Sequence, residues 1–148
     1  MKRVYTLSDY CVGCGLCQVY CATVHSSYPN SVWKAYHMSE NRPLSRVYVE
    51  RNAIASLSVQ CRQCNDPACV YACIAGAITK DEDGVVVIDE NKCVGCSTCV
   101  IACPFGLIRV DPNKKKSLKC DLCKDVQDVP VCVSRCPNEA LVYRKEEI

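Results

Sequence analysis

The sequence is poor in the large side chains that usually fill a protein core. Its 148 residues include one Phe and one Trp beside eight Tyr, and the apolar fraction of 49% counts sixteen Cys. A chain of this length forms one domain or two very small ones. With so little bulky apolar material, we expect something other than side-chain packing to hold the fold together. The cysteines are the residues available for that role.

Membrane and export signals are missing as well. The longest apolar run, at 100–108, is interrupted by Cys103 and Pro104 and is too short to span a bilayer. The ten residues before Cys11 lack the apolar core and small-residue cleavage site of a signal peptide. We therefore expect a cytoplasmic protein with no membrane span. A reducing compartment argues against the simplest interpretation of many cysteines, which is a set of eight disulfides.

The cysteines form four sets of four that alternate between tight and loose spacing. Sets one and three both follow C-x2-C-x2-C-x3-C and share the tetrapeptide Cys-Val-Gly-Cys, whereas sets two and four widen the middle gap to four and eight residues. The alternation indicates a duplicated two-set ancestor. The sets are Cys11, Cys14, Cys17 and Cys21; Cys61, Cys64, Cys69 and Cys73; Cys93, Cys96, Cys99 and Cys103; and Cys120, Cys123, Cys132 and Cys136.

This spacing is typical of [4Fe–4S] cluster ligation. A C-x2-C-x2-C loop wraps one cube and offers three thiolates, and the cysteine three residues further on ligates the other cluster of a pair in two-cluster ferredoxins. The proline that ends such runs is kept after Cys103 and Cys136, but Cys21 is followed by Ala22 and Cys73 by Ile74. Proline is not a ligand, so the departure concerns chain direction more than ligation.

A zinc site is the main alternative for the metal. A single C-x2-C pair occurs in zinc sites, and set four alone could be interpreted as one. The regular x3 spacing before the last cysteine of all four sets is not required by a closed zinc clamp, and it favours iron–sulfur clusters. Spacing does not decide which sets pair, because both the gap from Cys73 to Cys93 and the gap from Cys103 to Cys120 could join two halves of a ferredoxin unit.

The arrangement resembles the four-cluster iron–sulfur subunits of molybdenum and tungsten oxidoreductases, formate dehydrogenases, hydrogenases and carbon monoxide dehydrogenase. The motifs that carry the resemblance are Cys-Val-Gly-Cys-Gly-Leu-Cys, Cys-Arg-Gln-Cys-Asn-Asp-Pro-Ala-Cys, Cys-Val-Gly-Cys-Ser-Thr-Cys-Val-Ile-Ala-Cys-Pro and Lys-Cys-Asp-Leu-Cys. In that family the first set pairs with the fourth and the second with the third. The ligands so implied are Cys11, Cys14, Cys17 and Cys136 for cluster 1; Cys21, Cys120, Cys123 and Cys132 for cluster 2; Cys61, Cys64, Cys69 and Cys103 for cluster 3; and Cys73, Cys93, Cys96 and Cys99 for cluster 4.

The resemblance implies an α+β fold of two nested bacterial-ferredoxin-like units, built from short β-hairpins and single-turn helices around four [4Fe–4S] clusters. We expect residues 1–21 and 104–148 to form the outer unit and 61–103 the inner unit. Residues 22–60 are interpreted as an insertion that either contacts a partner or covers a cluster. Its two histidines are expected to be surface or hydrogen-bonding residues, since the cysteines already complete four sites.

The function implied is electron transfer without catalysis, since no nucleotide loop, catalytic dyad or open metal position is evident. Expected partners are a catalytic redox subunit, best matched by a tungsten aldehyde oxidoreductase or carbon monoxide dehydrogenase, and a second partner such as a flavin subunit or soluble ferredoxin. A free diffusible ferredoxin is the alternative. The formal charge of +2 would fall to about −6 with four clusters bound, so nucleic acid is not an expected partner.

Local patterns predict several short elements. Residues 77–80 and 85–88 flank a turn and predict a β-hairpin; 107–110 predict a strand that enters a turn at 111–114; and 43–50 hint at another strand. Strands at 3–6 and 141–144 could pair and close the domain. Pro137 predicts one helical turn over 137–140, because proline is tolerated at the first helical position.

Overall fold

The computed structural model describes residues 1–145, and this part of the protein forms only short elements. Four two-stranded antiparallel sheets pair β1 with β8, β2 with β3, β4 with β5 and β6 with β7. In sequence order, the strands and helices of this part are β1 Lys2–Thr6, α1 Leu16–Val24, α2 Val32–His37, β2 Val47–Arg51, β3 Ser56–Gln60, α3 Ala68–Tyr71, β4 Ile78–Lys80, β5 Val86–Ile88, α4 Thr98–Ala102, β6 Arg109–Asp111, β7 Lys116–Leu118, α5 Val131–Ser134 and β8 Leu141–Lys145, with a 3₁₀ turn at Ser8–Tyr10.

The backbone divides into two compact units. We call residues 61–121 the central unit, with which Met1 also groups, and residues 2–60 together with the segment from Leu122 onward the flanking unit. Residues 104–121 therefore group with the central unit, whereas the sequence boundary was expected after Cys103. Residues 22–60 group with the same unit as cysteine set one.

The central unit contains the predicted hairpin at 77–88. Strand β4 pairs with β5 in a register that sets Ile78 opposite Ile88. Ile78, Val86 and Ile108 form a buried cluster together with Cys99. Partly buried Cys69, Cys73 and Cys103 pack against that cluster, so thiols take up much of the volume that larger apolar residues would fill. The second hairpin, β6–β7, begins at Arg109 rather than at the predicted residue 107, because Leu107 and Ile108 turn into the core.

The flanking unit is closed by its two terminal strands, as predicted. Strand β1 pairs with β8 in a register that sets Thr6 opposite Leu141, and Val4 and Leu141 are buried. Helix α1 packs against α5, α2 and β2, and β1 contacts β3. The strand hint at 43–50 corresponds to β2, whose partner β3 and the helix α2 were not predicted.

Two predicted helical features differ in the structure. Residues 137–140 do not form a helical turn, because Glu139 has φ +52°, which is incompatible with a right-handed helix; the helix of this region is α5, before Cys136. Helix α1 has nine residues, longer than the single turn expected, and carries Cys17 and Cys21 on one face. Within residues 1–145, no helix combines the length and the apolar character that crossing a bilayer requires.

Candidate metal centres

A cavity in the flanking unit is lined by four cysteines from distant parts of the sequence. It encloses about 350 Å³ of empty space, and its wall includes Cys11, Cys14, Cys17 and Cys136. Cys11 and Cys14 belong to the loop before α1, Cys17 lies in the first turn of α1, and Cys136 follows α5. The pairing of β1 with β8 contributes to this arrangement, because it joins the segment before Cys11 to the segment after Cys136.

The central unit contains two further cavities of the same kind. One, of about 300 Å³, is lined by Cys73, Cys93, Cys96 and Cys99. The other, of about 360 Å³, is lined by Cys61, Cys64, Cys69 and Cys103. Each therefore combines three cysteines of one set with the last cysteine of another. Helices α3 and α4 pack together, which brings Cys69 and Cys73 near Cys99 and Cys103.

The remaining four cysteines are the most uniformly buried. Cys21, Cys123 and Cys132 lie in the flanking unit, where α1 carries Cys21 and α5 carries Cys132, and the two helices pack together. Cys120 is buried in the central unit. No disulfide links any of the sixteen cysteines, all of which fall within residues 1–145.

Two serine hydroxyls that the sequence did not single out lie beside cysteine sulfurs. Ser58 Oγ is 3.7 Å from Cys17 Sγ, and Ser117 Oγ is 3.2 Å from Cys99 Sγ. Burial raises the pKa of the Cys17 thiol, and the hydrogen bond with Ser58 partly opposes that rise. Ser58 lies in β3, where the alternating apolar residues Leu57 and Val59 are less buried than Ser58 itself, and Ser117 lies in β7, which has only three residues. Alternation of apolar residues therefore identified neither serine.

Backbone N–H groups also point at cysteine sulfurs. The N–H of Ala77 donates to Cys73 Sγ at 3.2 Å, and that of Leu107 donates to Cys103 Sγ at 3.5 Å. Both donors lie four residues after the acceptor. Because hydrogen bonds to sulfur stabilise a thiolate, these amides suit sulfurs that bind a metal.

Cys21, the last cysteine of set one, has polar groups close to its sulfur. Its sulfur accepts from the Arg46 N–H at 3.3 Å and lies 3.9 Å from His25 Nδ1. Burial by itself raises the pKa of Cys21, but the hydrogen bond and charge of His25 and the hydrogen bonds of Arg46 and Ser45 outweigh it and lower the pKa overall. His25 Nδ1 also donates to the Cys21 carbonyl at 2.8 Å.

Both tight loops have a glycine at positive φ where they pass close to a hairpin. Gly13 has φ +66° and Gly95 has φ +74°, values that L side chains rarely adopt. A Cβ on Gly13 would lie 2.5 Å from Ser56 Oγ, and one on Gly95 would lie 2.2 Å from the main-chain oxygen of Lys115. At Gly95 the neighbouring atom belongs to the main chain, so that loop can pass this close to its hairpin only with glycine, whereas at Gly13 the neighbouring atoms belong to side chains.

These surroundings fit iron–sulfur clusters. Each of the three cavities presents four soft thiolate donors on an otherwise apolar wall, which matches Cys₄ ligation of a [4Fe–4S] cube. Sixteen cysteines are the number that four such clusters need.

Comparison with known proteins agrees with this donor set. A family model described as a 4Fe-4S dicluster domain matches residues 53–146. Electron transport protein HydN of Escherichia coli (strain K12) is 33% identical, covering 89% of this sequence and 81% of the relative. One subunit of the anaerobic dimethyl sulfoxide reductase of the same organism is 35% identical, covering 92% of this sequence and 69% of that subunit.

A solved structure shares the fold. The active site complex BamBC of benzoyl coenzyme A reductase, in complex with 1,5-dienoyl-CoA, superposes with a TM-score of 0.53 at 25% identity, covering 100% of this protein and 78% of that one. The protein is an iron–sulfur protein of the electron-transport type, and it belongs to the family of 4Fe-4S dicluster domains.

Proposed function

We propose that this protein relays electrons through four [4Fe–4S] clusters, without catalysis of its own, between a catalytic redox subunit and a second redox partner. The observation that carries the proposal is the set of three cavities, each lined by three cysteines of one sequence set and the last cysteine of another. This exchange of the last cysteine is the ligation pattern of two-cluster ferredoxins.

The cavities support three of the ligand sets predicted from the sequence. In this proposal cluster 1 is held by the cysteines of the flanking-unit cavity, and clusters 3 and 4 by those of the two central-unit cavities. The set Cys21, Cys120, Cys123 and Cys132 stays a prediction for cluster 2. When bound, such a cluster accepts and gives up one electron at a time, at a potential set by charge, hydrogen bonds and solvent exposure.

The protein's own residues prepare the sites for that role. Cys17 and Cys99 are buried, so their thiolates are shielded from water. The amides of Ala77 and Leu107 donate hydrogen bonds to thiolate sulfur. These donors are fixed by the backbone, so little reorganisation accompanies a change in charge.

The two tight loops are the proposed points of electron entry and exit. Cys14 and Cys96, the second cysteines of these loops, are the two exposed cysteines of the sixteen. Val12 and Val94 occupy the same position of the shared tetrapeptide and are 64% and 68% exposed. An exposed apolar side chain beside an exposed thiolate suits contact with a redox partner, because it brings the partner's surface close to the cluster.

The catalytic partner is proposed to be a tungsten aldehyde oxidoreductase or a carbon monoxide dehydrogenase, as the resemblance of the sequence suggested. The relatives named above include a subunit of a dimethyl sulfoxide reductase, which supports a catalytic redox partner in general. Affinity purification of the tagged protein under anaerobic conditions, followed by tungsten and molybdenum analysis and by assays of aldehyde and carbon monoxide oxidation, tests the choice. A partner without tungsten and without either activity would contradict it.

The cluster content is tested on the protein purified anaerobically. We expect about 16 iron and about 16 acid-labile sulfide per molecule. A colourless protein with stoichiometric zinc would contradict the proposal. Gel filtration of a native extract separates the subunit from the diffusible ferredoxin, since a particle near 16.4 kDa would favour the latter. The cytoplasmic location stays a prediction.

A further inference from the structure

Lys119 is a buried lysine directly before Cys120. Its exposed fraction is 3%. Its Nζ donates to the main-chain oxygen of Cys120 at 2.7 Å and to that of Val86. Lysine is almost never fully buried unless its charge is compensated, because removing an ammonium from water is costly.

No carboxylate provides that compensation among residues 1–145. Both hydrogen-bond acceptors of Lys119 are main-chain carbonyls, which carry only partial charges. Two exposed lysines of the central unit differ in this respect: Lys114 pairs with Glu90 at 2.8 Å, and Lys92 lies 3.9 Å from Asp89. The buried ammonium therefore needs a negative group that a carboxylate does not supply.

Two predicted thiolate sites adjoin Lys119: Cys120, predicted for cluster 2, follows it in the sequence, and the cavity of Cys61, Cys64, Cys69 and Cys103 lies beside its acceptor Val86. Val86, whose oxygen accepts from Lys119, is part of the wall of that cavity. Lys119 therefore donates to a residue of the cavity wall, so its charge lies close enough to act on this site.

Gln63 holds the same two main-chain segments. It lies between Cys61 and Cys64, is fully buried, donates through Nε2 to the Cys120 oxygen at 2.9 Å and accepts through Oε1 from the Val86 N–H at 2.8 Å. Lys119 is therefore anchored to both Val86 and Cys120, as Gln63 is. The position of its charge relative to the cysteine cavity is fixed by packing.

We propose that Lys119 sets the potential of cluster 3: its buried positive charge stabilises the reduced cluster and makes that cluster easier to reduce. The inference rests on the proposed function, in which these four cysteines hold a cluster. Reduction adds one electron, donated by the redox partner, and transfers no proton. The added negative charge is partly compensated by the ammonium. The attraction between these two charges is stronger in a buried site than in water.

The test is Lys119→Met in the full-length, cluster-loaded protein, because Met keeps a similar length without the charge. An EPR-monitored redox titration is expected to show the reduction equilibrium of one cluster weakened at least tenfold, a shift of about 59 mV to more negative potential for one electron. The shifted signal should be the one that disappears in Cys61→Ser. Lys80→Met is the matched control, since Lys80 Nζ also donates to a carbonyl, that of Asn65 at 2.7 Å, but is exposed; we expect no shift from it.

The outcomes separate this inference from the proposed function. Wild type with fewer than about 16 iron would contradict the proposed function. A fully loaded Lys119→Met variant with wild-type potentials would overturn the role of Lys119, and so would an equal shift in Lys80→Met. If Lys119→Met does not load iron, ¹⁵N NMR of lysine-labelled wild type decides. A charged ammonium whose signal shifts on cluster reduction supports the inference, and a neutral or unresponsive amine overturns it.

Discussion

The two tight cysteine loops, 11–17 in the flanking unit and 93–99 in the central unit, have the same spacing but are packed differently. A two-stranded hairpin contacts each loop at its glycine: β2–β3 at Gly13 and β6–β7 at Gly95. At Gly13 the contacts are with side chains, those of Ser56 and Arg51, whereas at Gly95 the contact is with the main-chain oxygen of Lys115. Two loops with the same cysteine spacing should therefore differ in how well they tolerate a substitution of their glycine.

The comparison also explains part of the insertion at 22–60. Its strand β3 presents Ser58 to Cys17 as β7 presents Ser117 to Cys99. Arg51 of β2 donates through Nε to the Gly13 carbonyl at 2.6 Å. The hairpin β2–β3 of the insertion thus supports the first tight loop. The hairpin β6–β7, between cysteine sets three and four, supports the second tight loop in the same way. The contact with a partner predicted for this segment would then fall to its other part, where Trp33 of α2 is 62% exposed and stacks on His37.

Removing the metal should have the largest effect, and it should not distinguish the two loops. Six of the buried apolar residues are cysteines, so the clusters stand in for a conventional core. Anaerobic treatment with an iron chelator is expected to abolish cooperative thermal unfolding, because metal binding supplies the folding free energy. Calorimetry checks this against a mock-treated sample. Cooperative unfolding of the iron-free protein would contradict it, and hydrogen-exchange protection retained by the central unit alone would show that the two units differ.

Each tight loop is proposed to share its cluster with the last cysteine of another set, and replacing that cysteine should affect the cluster of the loop. Cys136→Ser is expected to lose the cluster of the first tight loop, and Cys73→Ser that of the second. Each variant should retain about 12 of about 16 iron, unless the neighbouring cluster is lost as well. Iron analysis with EPR of the reduced protein measures both. A Cys136→Ser variant that lost only the cluster of Cys123 and Cys132 would contradict the nested pairing.

Alanine at the two glycines should separate the loops most clearly. Gly13→Ala and Gly95→Ala share the cost of a side chain at positive φ, about 1–2 kcal/mol. Gly95→Ala should cost about 3 kcal/mol or more in total, because its Cβ meets backbone that can move only with the whole hairpin. Gly13→Ala should cost less, because rotation of Ser56 moves its Oγ, the nearest atom, away from the added methyl and leaves only the milder contacts with Ser56 Cβ and Arg51. Anaerobic urea titrations followed by cluster absorbance compare the two, and equal losses would show that the packing difference has no energetic consequence.

The cysteine pattern predicted the chemistry and much of the fold, but not the residues around the sulfurs. The hairpin at 77–88 is confirmed, because turn residues and short apolar runs act locally. The pairing of the terminal strands is confirmed as well, although it joins opposite ends of the sequence. The helical turn at 137–140 was wrong: Pro137 permits a helix start, but Glu139 adopts the left-handed conformation. Propensity did not reveal that conformation.

Lys119 and Ser117 show why the rest could not be predicted from the sequence. Both lie just after a run of three lysines that is typical of a solvated turn, yet β7 turns Ser117 inward and Lys119 is buried. A lysine before a cysteine carries no signal of burial by itself. Its place is decided by its hydrogen bonds to Cys120, the next residue, and to Val86, which is distant in sequence, and by a core built partly of thiols. Long-range packing of this kind overrides local composition.

The two serines offer the smallest and most specific contrast between the loops. In the loaded protein Cys17 and Cys99 are thiolates, so each serine hydroxyl must donate and thereby stabilise negative charge. Ser117→Ala and Ser58→Ala should both make the cluster beside them harder to reduce, by less than tenfold, or less than about 59 mV for one electron. Ser117→Ala should have the greater effect, because its hydroxyl lies 3.2 Å from sulfur rather than 3.7 Å. Redox titrations of the two variants in parallel measure both shifts. A larger shift in Ser58→Ala would contradict this order and would mean that the hydrogen bond to Cys17 shortens when its cluster is bound.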